Sequence, residues 1–129
     1  MPTQDPSDSH PSSPGAVLDL TVIQGLRELG GEDEPNLVLE LIDLYLLDAP
    51  QRIAEIRHAL ATGDWKLLER AAHTLKSSSA NIGARGLSQL CTELEREARS
   101  HDQGVCASLF QQSARHLSCV EAALRSVRG

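Results

Sequence analysis

The sequence predicts an all-α protein, an antiparallel up-and-down four-helix bundle with an additional short N-terminal helix. Three observations lead there. Leu and Ala outnumber the β-branched residues, and the aromatics are only Tyr45, Trp65 and Phe110, a balance that suits helices better than strands. Apolar residues recur at intervals of three and four along most of the chain, and no stretch alternates with the period of two that a half-buried strand requires. Short connections of roughly two to five residues separate the helical stretches, which forces sequence neighbours to lie side by side.

Residues 1–15, MPTQDPSDSHPSSPG, hold four of the six prolines and five Ser or Thr without apolar periodicity. Such a segment cannot repay the entropy of ordering, and a disordered leader containing His10 is expected there. The remaining residues, 16–129, are expected to form one domain, since 129 residues are too few for a second core. Leu18, Val22, Leu26 and Leu29 mark a short amphipathic helix that Gly30 and Gly31 end. A second helix is expected from Glu34 to Asp48, with Pro35 in its first turn. Pro50 cannot donate a helical hydrogen bond, so a kink or a new start is expected before Ile53, Ile56 and Leu60.

Asp64 is placed to cap a helix from Trp65 to about Asn81, closed by Gly83. The next helix, Ala84 to Ser100, turns Leu87, Leu90, Cys91, Leu94 and Ala98 inward. A last helix follows Asp102-Gln103-Gly104, with Val105, Leu109, Ser113, Leu117, Val120, Leu124 and Val127 on one side.

Composition also narrows the function. Twelve basic against eighteen acidic residues give a formal charge of -6, the wrong sign for a nucleic-acid binder. No window approaches the roughly 20 apolar residues of a membrane span, and no secretory signal opens the chain, so no membrane partner is expected. Cys91, Cys106 and Cys119 are odd in number, lack CxxC spacing and fall at apolar helical positions, as reduced core thiols of a cytoplasmic monomer would. Glu93, Glu97 and His101 recur every four residues, but that spacing is common on exposed helices, and neither a metal nor a cofactor is expected.

The chemistry concentrates on the helix from Trp65 to Asn81. At about 100° per residue, Leu68, Ala71, Leu75 and Ile82 fall opposite His73, which therefore points outward. Lys66, Glu69, Arg70, Lys76, Ser77 and Ala80 lie within about 60° of it. Lys76 stands one turn beyond the imidazole, where a free ammonium would meet an anion mounted on the ring. Ser77, Ser78, Ser79 and Ala80 add little helix propensity but leave room around His73. An exposed imidazole is a competent nucleophile toward phosphorus, and a neighbouring cation is most of what a loose phosphoryl-transfer transition state needs. Between Leu37 and Leu47 only Glu40 and Asp43 are polar. Most of that apolar surface is expected under the first helix, with Tyr45 or Leu46 left exposed near His73 as a docking patch.

The run Ala72-His73-Thr74-Leu75-Lys76-Ser77-Ser78-Ser79-Ala80-Asn81-Ile82-Gly83-Ala84 resembles the signature of histidine-containing phosphotransfer domains: His, any, Leu, Lys, Gly, two small residues, two of any kind, an apolar residue and Gly. The likeness extends through Leu44 to Pro50, Gly63-Asp64-Trp65, Leu87, Leu90 and Leu94-Glu95. It departs at Ser77, where many members carry glycine.

The resemblance implies that His73 accepts a phosphoryl group from a receiver-domain aspartate of a hybrid sensor kinase and hands it to the aspartate of a response regulator. It implies that the receiver supplies Mg2+ and that Lys76 steadies the phosphoryl oxygens. Ser77 is included as a provisional site residue, and Glu69, Arg70, Ala80, Tyr45 and Leu46 as provisional docking residues. No ATP-binding motif is present, so a carrier and not an autonomous kinase is expected. The rival reading is a helical adaptor without chemistry, its motif degenerate at Ser77.

Overall fold

The computed structural model describes residues 17–129. The leader expected at residues 1–15, with His10, lies outside them. The described residues form five helices: α1 (Leu20–Gly30), α2 (Leu37–Thr62), α3 (Trp65–Asn81), α4 (Arg85–Ser100) and α5 (Gln103–Arg128). Helices α2 to α5 make the four-helix bundle. Helix α3 packs between α2 and α4, α5 closes the ring against α4 and α2, and α1 leans on α2.

Three aspartates start helices as their short side chains allow. Asp19, Asp64 and Asp102 accept hydrogen bonds from the backbone N–H groups of Thr21, Leu67 and Val105 at 3.0, 3.1 and 3.1 Å, satisfying donors that the first helical turn leaves free. Asp19 does more. Its N–H donates to the carbonyl of Gly83 at 2.8 Å, and its carboxylate accepts from Arg85 Nε at 2.7 Å, so the start of α1 is tied to the turn between α3 and α4. Gly83 has φ +89°, and a Cβ there would stand 2.9 Å from the Asp19 carbonyl oxygen. Both facts require glycine.

Helix α2 departs from expectation. It begins at Leu37, with Glu34 and Pro35 in the preceding turn, and it runs unbroken through Pro50 to Thr62. Val38, Ile42, Tyr45, Ala49, Ile53, Ile56 and Ala59 form one buried stripe across the proline. Packing along that stripe outweighs the one hydrogen bond lost, and Pro50 faces solvent, where water can serve the carbonyl left without a donor.

Two expected core positions are also corrected. Leu29 is exposed, because Ile23 centres the buried face of α1 and Leu29 lies about 120° away on the wheel. Val105 is exposed as well, since the buried stripe of α5 starts at Cys106 and continues through Leu109, Ser113, Leu117, Val120 and Leu124. Ser113 enters the core at no polar cost because its hydroxyl donates to the Leu109 carbonyl at 2.8 Å. Cys91 and Cys106 are buried free thiols and Cys119 a half-buried one. Burial pushes the Cys91 thiol up to about 12, the behaviour of a small core hydrophobe.

Candidate functional site

Helix α3 buries Leu68, Ala71, Ala72, Leu75 and Ser79 and turns His73 outward, its side chain 58% exposed. The stripe drawn from the sequence is therefore on the outer face. Lys66, Arg70, Ser77 and Ala80 are exposed, while Glu69 and Lys76 are half-buried toward α4. Lys66, Glu69, Arg70, His73 and Glu95 line a shallow hollow of about 300 Å³, so two expected docking residues, Glu69 and Arg70, do flank the imidazole.

The rotation of α3 is pinned from two sides. On the α2 side, the Tyr45 hydroxyl and Ser79 Oγ share a buried hydrogen bond of 2.8 Å. On the α4 side, Ser88 Oγ donates to the Lys76 carbonyl at 3.0 Å. Tyr45 is thus 5% exposed, which corrects the expectation that it stays exposed near His73 as part of a docking patch. Its ring belongs to the α2 core stripe, and its hydroxyl has a partner only inside the bundle; burial pushes the phenol well above its ordinary value. Leu46 is half-buried. The large apolar side chains that α2 leaves in solvent are Leu44 and Leu47. Leu44 borders a groove of about 480 Å³ together with Leu26, Leu41, Tyr45, Ser78 and Ile82.

The ammonium of Lys76, expected one turn from the imidazole, already has a partner that the sequence did not reveal. Lys76 Nζ donates to Glu95 Oε1 at 2.8 Å, and the other oxygen of the same carboxylate, Oε2, lies 3.0 Å from His73 Nδ1. One carboxylate on α4 therefore holds both residues of the α3 pair. Arg99, one turn further along α4, brings Nη2 to 3.5 Å from Glu95 Oε2 and donates from Nε to Glu69 Oε2 at 2.6 Å. Glu95 is only 12% exposed. Burial raises its pKa, but the hydrogen bonds from Lys76 and His73, with their charges, outweigh that and hold the carboxyl below its ordinary range.

An ionised carboxylate can only accept hydrogen bonds, so His73 Nδ1 must carry the proton that meets it. In the neutral ring Nε2 then bears the lone pair, and no hydrogen-bond partner reaches it among the described residues. The arrangement presents an oriented nucleophilic nitrogen to solvent, backs its ring with a negative charge and keeps an ammonium within one turn.

Glu95 and Arg99 had no assigned role in the sequence reading. The available signal was Glu95 at the edge of the buried stripe of α4, beside Leu94 and four residues after Cys91, followed by a cation at i+4. Nothing local says that this edge faces His73. Glu93, Glu97 and His101 form no common site, and His101 instead stacks on Trp65 with ring centroids 4.9 Å apart. Among the described residues no three His, Cys, Asp or Glu side chains come together as metal ligands, and no helix is long and apolar enough to cross a membrane.

Comparison with known proteins points the same way. Residues 40–128 match the family model of the Hpt domain. The chain is 35% identical over 89 residues to histidine-containing phosphotransfer protein 4 of Arabidopsis thaliana, covering 67% of this chain and 70% of that one. It is 34% identical over 83 residues to the sensor protein TorS of Escherichia coli, covering 64% of this chain but 9% of the sensor. The crystal structure of histidine-containing phosphotransfer protein B from Pseudomonas aeruginosa superimposes with a TM-score of 0.79 at 33% identity, over 87% of this chain and 94% of that one.

Proposed function

The chain belongs to the family of histidine-containing phosphotransfer (Hpt) domains, and from that premise we propose that it is a two-component phosphorelay carrier whose phosphoryl acceptor is Nε2 of His73. The observation that carries this reading is the Glu95 bridge, 3.0 Å from His73 Nδ1 and 2.8 Å from Lys76 Nζ.

The step balances on these groups. The Nε2 lone pair attacks the phosphorus of an aspartyl phosphate, the P–Nε2 bond forms, and the bond from phosphorus to the carboxyl oxygen breaks, returning a free aspartate carboxylate. Because Nδ1 keeps its proton, the ring becomes cationic as the phosphoryl group arrives. Glu95 stabilises that positive charge, and Lys76 sits where it can offset the negative oxygens. Transfer to a second aspartate reverses each change and returns a neutral ring. The exposed ring nitrogen suits both directions equally, as a carrier requires.

The partners in this reading are receiver domains of a sensor kinase and of a response regulator, and the receiver brings the Mg2+. Their docking surface is the outer face of α3 with Glu69, Arg70 and Ala80, adjoined by the exposed Leu44 and Leu47 of α2 in place of Tyr45 and Leu46. Ser77 is exposed on the same face, and its small hydroxymethyl group leaves His73 open. We place the protein in the cytoplasm as a monomer without kinase activity of its own.

The test is incubation with a purified receiver domain loaded from acetyl phosphate. The carrier acquires an acid-labile, alkali-stable phosphate, and His73→Gln loses it while staying folded, since the side chain is mostly exposed and the glutamine NH2 group can donate to Glu95 in place of Nδ1. An unlabelled wild-type chain that still binds the receiver would establish the adaptor reading instead.

A further inference from the structure

The Glu95 bridge poses a problem for the transfer step. Lys76 Nζ is spent in part on Glu95 Oε1 at 2.8 Å, and any shift of the ammonium toward a phosphoryl group on Nε2 weakens that bond. That would leave a carboxylate, mostly shielded from water, beside a newly arrived dianion. A second cation stands ready: Arg99 holds Nη2 at 3.5 Å from Glu95 Oε2. Its guanidinium is already oriented, because Nε is bonded to Glu69 Oε2 at 2.6 Å. Glu69 lies one turn before His73 on α3 and Lys76 one turn after it, so the chain of contacts Glu69, Arg99, Glu95, Lys76 frames the imidazole on both sides. The planar fork of arginine can serve two carboxylates at once, which a lysine ammonium does less well.

We propose that Arg99 is a positioning residue of this site: anchored by Glu69, it retains Glu95 against His73 Nδ1 while Lys76 exchanges that carboxylate for the phosphoryl oxygens. The proposal rests on the reading of His73 as phosphoryl acceptor and extends it to a residue that never touches the transferred group. Removing Arg99 leaves Lys76 as the sole cation on Glu95, so the ammonium is released to the phosphoryl group less readily. Removing Lys76 abolishes that competition, and Arg99 then has little left to do.

The test uses phosphoramidate, a small chemical donor to histidine, so that no receiver is needed. Loading of His73 is timed in the wild type, Arg99→Ala, Lys76→Ala and the double variant, with Arg99→Lys alongside and melting recorded for each. Arg99→Ala is expected to slow loading about fivefold in the wild-type background and less than about twofold on top of Lys76→Ala, the signature of coupled sites. Arg99→Lys, whose ammonium serves two carboxylates less well, should restore only part of the rate. In the loaded protein, the His73 Nδ1 proton seen by NMR should be slowly exchanging in the wild type and fast in Arg99→Ala, a change that loss of a purely structural ion pair would not cause. An equal factor in both backgrounds, or an unchanged Nδ1 proton, overturns the proposal while leaving the carrier reading intact. A wild-type chain that never loads at His73 overturns both.

Discussion

Glu95→Gln removes one charge from the centre of the site at almost constant shape, and its cost follows from counting donors. The carboxylate receives Lys76 on Oε1, and His73 and Arg99 on Oε2. A glutamine amide has a single acceptor oxygen, and its NH2 group cannot face a donor. If the oxygen keeps Lys76, the NH2 group faces Arg99 donor to donor and meets His73 only if the imidazole gives up its Nδ1 proton for the other tautomer, so at least one charge-assisted bond of the bridge is lost. A hydrogen bond to a charged group contributes about 1.5–3 kcal/mol, and little water reaches this carboxylate to replace it, so a loss of roughly 2 kcal/mol of stability is expected near neutral pH.

The sign of the pH dependence is determined by the direction of the Glu95 shift. Its carboxyl is held below the ordinary value of 4.5 in the folded chain, so the folded state gains from ionisation. That gain is fully present above the unfolded value and disappears as the pH falls through the folded one. Thermal melting followed by circular dichroism should show Glu95→Gln several degrees below the wild type at about pH 7, with the gap closing at acid pH, once the pH has fallen through the lowered folded-state pKa of Glu95. A gap of the same size at both pH values would mean that shape and not charge is responsible. No gap at neutral pH would mean that the bridge contributes nothing, and the reasoning would fail.

Other perturbations have equally definite outcomes. Tyr45→Phe leaves the buried Ser79 hydroxyl without its partner at 2.8 Å and should cost about 1 kcal/mol in chemical denaturation, moderated if Ser79 turns to its own helix carbonyl; a neutral result would remove this contact as the pin of α3. Gly83→Ala combines a left-handed backbone with a Cβ 2.9 Å from the Asp19 carbonyl and should destabilise by at least ~1–3 kcal/mol, seen as a lowered melting temperature. Lys76→Ala should slow phosphoryl transfer from a loaded receiver about tenfold or more while leaving the helical signal unchanged, and an unaltered rate would take the lysine out of the mechanism.

What the residues disclosed and what they concealed divide along the range of the interactions involved. Helix α3, its Asp64 cap, its buried Leu68 and Leu75 and its outward His73 follow from periodicity within one segment, and all are found. At Pro50 the residues leave a kink or a new start open, and the new start does not occur, because the apolar stripe from Val38 to Ala59 spans the proline and outweighs its local penalty. Tyr45 seemed surplus on an overly apolar helix, and only the bundle supplies the Ser79 hydroxyl that makes a buried phenol acceptable. The site shows the same division: His73 and Lys76 are one turn apart and visible together, whereas Glu95 lies 22 residues from His73 and Arg99 lies 30 from Glu69. Their meeting depends on how α4 is set against α3, which tertiary packing decides.

The most direct test of the account is the chemical identity of the phosphorylated atom. With the imidazole labelled by 15N and the protein loaded from a phosphorylated receiver, the ring nitrogens of His73 distinguish the two attachment points. Glu95 commits Nδ1 to a proton, so the phosphoryl group is expected on Nε2. A phosphoryl group on Nδ1, or on any side chain other than His73, would contradict the account at its centre.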